Sequence, residues 1–174
     1  MTGSTTSLPV PAAGRALVAS APKGESECVL SMALAGNVFA LEAAIVLEIL
    51  DVVPLTEVPN SSPFIKGLLN VRGKVVPVVD LKVRLGLATQ DETTLDSRIV
   101  VLSIQLDNEE CLVGILADKV FGVMEIDGST LEEAPSVGIA WRLEFIRSIG
   151  KSDQGFIVIL DMDRVFSNTD RNGA

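Results

Sequence analysis

Histidine is absent from all 174 residues, and so is tyrosine. The first absence removes imidazole acid–base catalysis, histidine metal sites and phosphotransfer through histidine within this chain. Aromatic residues amount to 4%, so a core has to be built from Val, Leu, Ile and Ala. Cysteine occurs only at Cys28 and Cys111, without CxxC spacing. Both lie in apolar segments and read as buried free thiols, not as a disulfide framework. Positive charge is scarce. The chain has 14 basic and 23 acidic residues and a net charge of −9, the wrong sign for a nucleic-acid surface. No apolar run reaches the ~18 residues of a membrane span. The N-terminus has no charge before Arg15 and no sustained apolar run, so no secretion signal is expected and the protein reads as cytoplasmic.

What is present is a core-forming chain. Apolar residues make up 48%, enough for one domain or two very small ones. Residues 1–26, rich in Ser, Thr, Pro, Ala and Gly, read as a flexible tail, and 167–174 as a short polar tail. Between them the pattern is mostly β. Strands are expected at Val29–Leu34, Val38–Leu41, Val75–Val79, Ile99–Leu106, Cys111–Ala117, Val120–Ile126 and Phe156–Leu160, with turns at Ala35-Gly36-Asn37 and Asp107-Asn108. Short helices are expected at Pro63–Leu69, Asp80–Leu87 and Asp161–Phe166, the last two capped by their aspartates. Pro77 has no N–H to give, so its strand should be an edge or bulged there.

The chain repeats itself weakly. Val46-Leu47-Glu48-Ile49 matches Val123-Met124-Glu125-Ile126, and Glu57-Val58-Pro59 matches Glu133-Ala134-Pro135. Phe64-Ile65-Lys66-Gly67 matches Phe145-Ile146-Arg147-Ser148, and Val78-Val79-Asp80-Leu81 matches Ile159-Leu160-Asp161-Met162. Four matches in order imply two similar units of about 75–80 residues, each too small for a large core alone. Two small barrels packed together would bury what each leaves exposed.

Catalytic motifs fail. Gly67 to Lys74 resembles a phosphate loop, but five residues separate Gly67 from Gly73, and Val75 follows the lysine where Ser or Thr is needed. No G-x-S-x-G elbow is present, and acidic pairs such as Asp161/Asp163 and Glu132/Glu133 read as solvated charge. Residues 60–90 stand apart: Lys66, Arg72, Lys74, Lys82 and Arg84 face one acid, Asp80. A basic segment in an acidic chain suggests a defined contact with an acidic surface, or else ordinary surface cations. Asn70-Val71-Arg72-Gly73 reads as a tight turn holding Arg72 at its tip, where the guanidinium fork can meet a carboxylate. The residues alone leave open whether that carboxylate belongs to a partner or to this chain.

At these residues the sequence resembles a known family. Phe39-Ala40-Leu41, Val46-Leu47-Glu48-Ile49, Pro59, Pro63-Phe64-Ile65-Lys66-Gly67, Asn70-Val71-Arg72-Gly73 and Val76-Pro77-Val78-Val79-Asp80-Leu81 follow one another as in CheW, the coupling protein of bacterial chemotaxis. Gly114–Val120 and Phe156–Asp161 also look like that family. The resemblance covers residues 28–166. It implies an all-β fold of two tandem five-stranded SH3-like barrels packed together with short helices. The domain would span 27–166, its repeats breaking near 88–97, with exchange of strands between barrels left open. It implies no enzymatic activity and no cofactor. The implied partners are the cytoplasmic tip of chemoreceptors and the regulatory domain of the histidine kinase CheA, in arrays at the inner membrane and without membrane insertion. Arg72 and Glu48, with Asn70, Val71 and Gly73, match the receptor-binding region; Leu30, Ala43, Val46 and Val120 match the kinase-facing patch. Ala43 is smaller than the aliphatic residue the family carries there, which removes about 1–2 kcal/mol of apolar burial. Two alternatives are an adaptor of a non-motility pathway and a small-ligand-binding barrel; the second would need an enclosed apolar cavity where an adaptor shows exposed apolar patches.

Overall fold

The structure, a computed structural model, describes residues 25–87, 93–135, 142–153 and 155–167. The expected tails fall almost wholly outside that set, as does part of the repeat break at 88–97; Trp141 also lies outside it. Ten strands and two short helices follow in order: β1 (Ser26–Leu34), β2 (Asn37–Glu42), β3 (Val46–Asp51), β4 (Ile65–Val71), β5 (Lys74–Val79), α1 (Leu81–Leu85), β6 (Arg98–Leu106), β7 (Glu109–Ala117), β8 (Lys119–Asp127), β9 (Ile146–Ser152), β10 (Gly155–Leu160) and α2 (Met162–Ser167). They form two five-stranded sheets. The first has the order β8-β1-β2-β10-β9 and the second β3-β6-β7-β5-β4.

Three tight turns explain the hairpins. Ala35/Gly36, Arg72/Gly73 and Asp107/Asn108 all have positive φ at both central residues, the twist that matches antiparallel strands. Asp80 and Asp161 start the helices as expected: Asp80 Oδ1 accepts from Lys82 N at 2.9 Å and Asp161 Oδ1 from Arg164 N at 3.2 Å. Gly86, at φ 76°, ends α1. Among the described residues no helix is long and apolar enough to cross a membrane.

Several local expectations are corrected. Pro63–Leu69 is not helical but leads into β4, where Ile65 to Val71 pair along β5. Strands β3 and β9 were not anticipated either. Pro77 is on an inner strand without a bulge of its own; the parallel pairing to β7 begins one residue later, at Val78. Cys28 is exposed and Cys111 half-buried, because the alternation of β1 turns Cys28 outward while Val29 faces in.

The two sheets follow one plan. Each contains a single parallel pair, Val78 with Gly114 in the second and Ile159 with Ala40 in the first. Tracing the ladders outward, Val46 opposes Leu102 and Glu48 opposes Val101, while Val120 opposes Met32 and Gly122 opposes Ser31. Both edge strands carry a bulge at the same step. Val46 is therefore the counterpart of Val120, Leu47 of Phe121, Glu48 of Gly122 and Ile49 of Val123. The match of Val46–Ile49 to Val123–Ile126 was a coincidence of letters three residues out of register. The other three matches agree with the ladders: Thr56 bridges Leu68 as Glu132 bridges Ile149, and Phe64 O accepts from Asp80 N as Phe145 O does from Asp161 N.

By that alignment β1–β5 with α1 form one repeat, and β6–β10 with α2 the other. Each sheet takes its central hairpin from one repeat and its other three strands from the next. The main core lies between the sheets and is mostly aliphatic with a few phenylalanines; Leu30, Met32, Leu41, Leu102, Ile115 and Phe145 are all essentially closed to water.

Candidate interaction surface

Arg72 sits at the tip of the β4–β5 turn with φ 53°, followed by Gly73 at φ 83°. Asn70 Oδ1 accepts from Gly73 N at 3.0 Å and ties the turn across its mouth. Glu48 comes from β3, on the other edge strand of the same sheet, directly after the bulge residue Leu47. Arg72 Nε lies 3.4 Å from Glu48 Oε2, with the arginine side chain 81% exposed and the glutamate 29%. The pair is made through Nε, so the outer edge of the guanidinium stays open to a further carboxylate. An exposed pair of this kind adds little stability; its effect is to orient the arginine.

Around the turn Asn70, Gly73, Lys74 and Val75 are exposed, whereas Val71 is buried with Val76, Val78, Ile99 and Val101. Val71 therefore supports the turn from below and presents no contact surface. Leu30 is corrected likewise. It is 1% exposed and belongs to the core between the sheets, so nothing can touch it from outside. Ala43, in the 3-10 turn Ala43–Ile45, is half-buried, as are Val46 and Val120. Val46 and Val120 are on different sheets, at equivalent positions beside the two bulges. Sequence reading missed the bulge residues themselves. Leu47 is 55% and Phe121 50% exposed, with Ile49 and Val123 exposed two residues on. The signal was available only through the ladder register, because a bulge interrupts the alternation by which exposed positions are read.

The basic segment does not form one surface. Lys82 is buried on Asp118, Arg84 is buried between the sheets, and Lys66 lies 3.6 Å from buried Asp80. Only Arg72 and Lys74 of the five face outward freely enough to be called surface.

A family model described as the CheW-like domain matches residues 29–170. The chain belongs to the CheW family. A probable chemotaxis protein CheW of Rhizobium etli is 27% identical over 157 residues, which are 90% of this chain and 97% of that protein. Protein PilI of Pseudomonas aeruginosa is 29% identical over 126 residues, 72% of this chain and 67% of that one. Among solved structures, the scaffolding protein TtCheW of Thermoanaerobacter tengcongensis superposes with a TM-score of 0.73 at 28% identity, covering 91% of this chain and 97% of the other. The all-β fold of two five-stranded sheets is thus the CheW fold, and the chain is a chemotaxis adaptor of the scaffold type.

Proposed function

We propose that this CheW-type adaptor works without enzymatic activity, by holding a chemoreceptor tip and the regulatory domain of a CheA-type kinase on one rigid body. The observation that supports this most directly is the solvent-facing Arg72, oriented by Glu48 on a turn fixed by Asn70. Receptor binding is assigned to this surface, with Gly73 and Val75 beside it and Val71 beneath. The kinase-facing surface is assigned to the edge strands, at Val120 with Phe121 and Val123, and at the sheet junction with Ala43 and Val46. Joining the partners raises the effective concentration of each for the other, so individually weak contacts suffice. No cofactor takes part, and the site of action is the cytoplasmic side of receptor arrays.

The test is Arg72→Glu. Co-sedimentation with receptor-containing membranes is lost while the melting temperature stays within about 1 °C of wild type. Survival of receptor binding would refute the assignment, and unfolding would make Arg72 structural. The likeness to PilI supports a second reading, an adaptor of a non-motility chemosensory pathway. Identifying the kinase that co-purifies separates the two.

A further inference from the structure

We propose that α1 is the strut that fixes one sheet against the other, and that Lys82 and Arg84 are positioning residues for two-surface binding. This rests on the function proposed above. Helix α1 follows β5, the strand that starts at the Arg72 turn, so it belongs to the second sheet. Its two cations reach into the other half of the molecule. Lys82 Nζ donates to Asp118 Oδ1 at 2.8 Å, and Asp118 Oδ2 accepts from Ala35 N, in the β1–β2 turn of the first sheet, at 2.8 Å. Arg84 Nε donates to the carbonyl of Val165 in α2 at 3.1 Å. Its guanidinium carbon lies 5.0 Å from the Phe64 ring centre and 4.9 Å from that of Phe145.

Phe64 and Phe145 are counterparts in the repeat, so Arg84 occupies the pseudo-twofold junction. The repeat does not supply its mate. The counterpart of Arg84 is Val165 and that of Lys82 is Asp163, so only α1 sends cations across, while α2 lies against β6 of the second sheet without one. Symmetry would otherwise place two arginines in one buried space, where like charges repel. Apolar side chains tolerate sliding, but a buried cation must meet its acceptors in a set direction. Two such cations on one turn of helix define an angle between the sheets. A shift at the Arg72 turn is then carried along β5 into α1 and on to the β1–β2 hairpin, which lies beside β8.

The test titrates the full-length chain with a soluble receptor-tip fragment and a kinase regulatory domain, singly and together. In wild type each partner changes the affinity for the other by about fivefold or more. Lys82→Met and Arg84→Met keep a similar side-chain volume and fold, since buried cations are often replaceable by apolar residues of similar volume. Both keep each single affinity within about twofold and bring the mutual effect below about twofold. Residual dipolar couplings show the mean angle between the sheets changed or averaged. Wild-type coupling retained by the variants, or an unchanged angle, overturns the strut. So does a wild type that binds both partners independently. A wild type that binds neither overturns the functional reading, and the strut with it. Should a methionine variant fail to fold, Asp118→Asn removes the charge on Lys82's partner while keeping an acceptor for Ala35 N, and the same coupling measurement decides.

Discussion

The two sheets share strand order, a parallel pair, a bulge on each edge strand and a short helix after the last hairpin, yet they differ at the positions that face outward or cross between them. Glu48 and Arg72 in the second sheet correspond to Gly122 and Asp153 in the first, so the ion pair exists once. Lys82 and Arg84 have no cationic counterparts. Gly67 corresponds to Ser148. What repeats is the apolar core and the aspartate that caps each helix, and it builds the fold. What does not repeat is polar, and it gives a nearly symmetric body one distinguished face. A symmetric adaptor would present the same surface twice and could not tell receptor from kinase.

The largest expected contrast comes from one substitution made at both members of a matched pair. Gly67 has φ 153°, and a Cβ there would stand 2.7 Å from Thr56 O and 2.8 Å from Leu55 Cβ. The 55–56 segment closes over β4 because nothing projects from that residue. Gly67→Ala is expected to cost about 3 kcal/mol and lower the melting temperature by roughly 10 °C. Ser148 already carries a Cβ, and its Oγ is buried without a hydrogen-bond partner among the described residues. Ser148→Ala is therefore expected to be neutral or slightly stabilising, by up to about 1 kcal/mol. Equal effects in thermal melts would show that the two sheets are not built alike at this step.

The next contrast concerns the edges. Phe121→Asp should weaken kinase-domain binding by about tenfold or more and spare the receptor, because an exposed aromatic is the kind of side chain that anchors an interface. Leu47→Asp, beside Glu48, should weaken the receptor contact instead. Both should melt within about 2 °C of wild type, since both side chains are half in water. If both variants lose kinase and keep receptor, the edges are equivalent in use and the ion pair alone marks the receptor face.

A smaller change probes that pair directly. Glu48→Gln keeps a hydrogen-bond acceptor for Arg72 but removes the charge. Receptor affinity, read by titration with a soluble tip fragment, should fall about threefold to tenfold, with stability altered by less than about 0.5 kcal/mol. An unchanged affinity would mean that Arg72 is oriented by its turn alone.

These contrasts follow the line between what was legible in the sequence and what was not. The tight turns around Gly36, Gly73 and Asn108 were readable because few residues accept positive φ. The aspartate caps were readable from an equally local signal, a short side-chain acceptor directly after a strand. Strand β4 was not, because Ile65-Lys66-Gly67-Leu68-Leu69 carries a bulge that breaks the alternation, and its apolar spacing imitates a helix turn. Leu30 and Val71 matched surface residues of the family by resemblance, yet both are buried. Which of two adjacent strand residues faces out depends on register, which a single sequence does not fix. Lys82 and Arg84 looked like surface cations because charge is normally outside; only the contact of Lys82 with Asp118 and of Arg84 with α2 shows why they are within.

The smallest expected effect sits at Lys82's counterpart. Asp163, in the first turn of α2, has its carboxyl pushed above the ordinary range, first by partial burial and then by the neighbouring charge of Asp161. A carboxyl whose pKa is raised on folding favours the protonated form in the native state. It contributes stability below its unfolded pKa and loses that contribution as the pH rises through the folded value. At neutral pH the ionised group is therefore a mild burden on the fold. Asp163→Asn should raise the melting temperature at pH 7 by on the order of 1 °C. The gain should shrink as the pH falls toward the ordinary aspartate range, where the wild-type side chain is itself neutral. A gain that persists unchanged in acid would assign the burden to packing instead of charge.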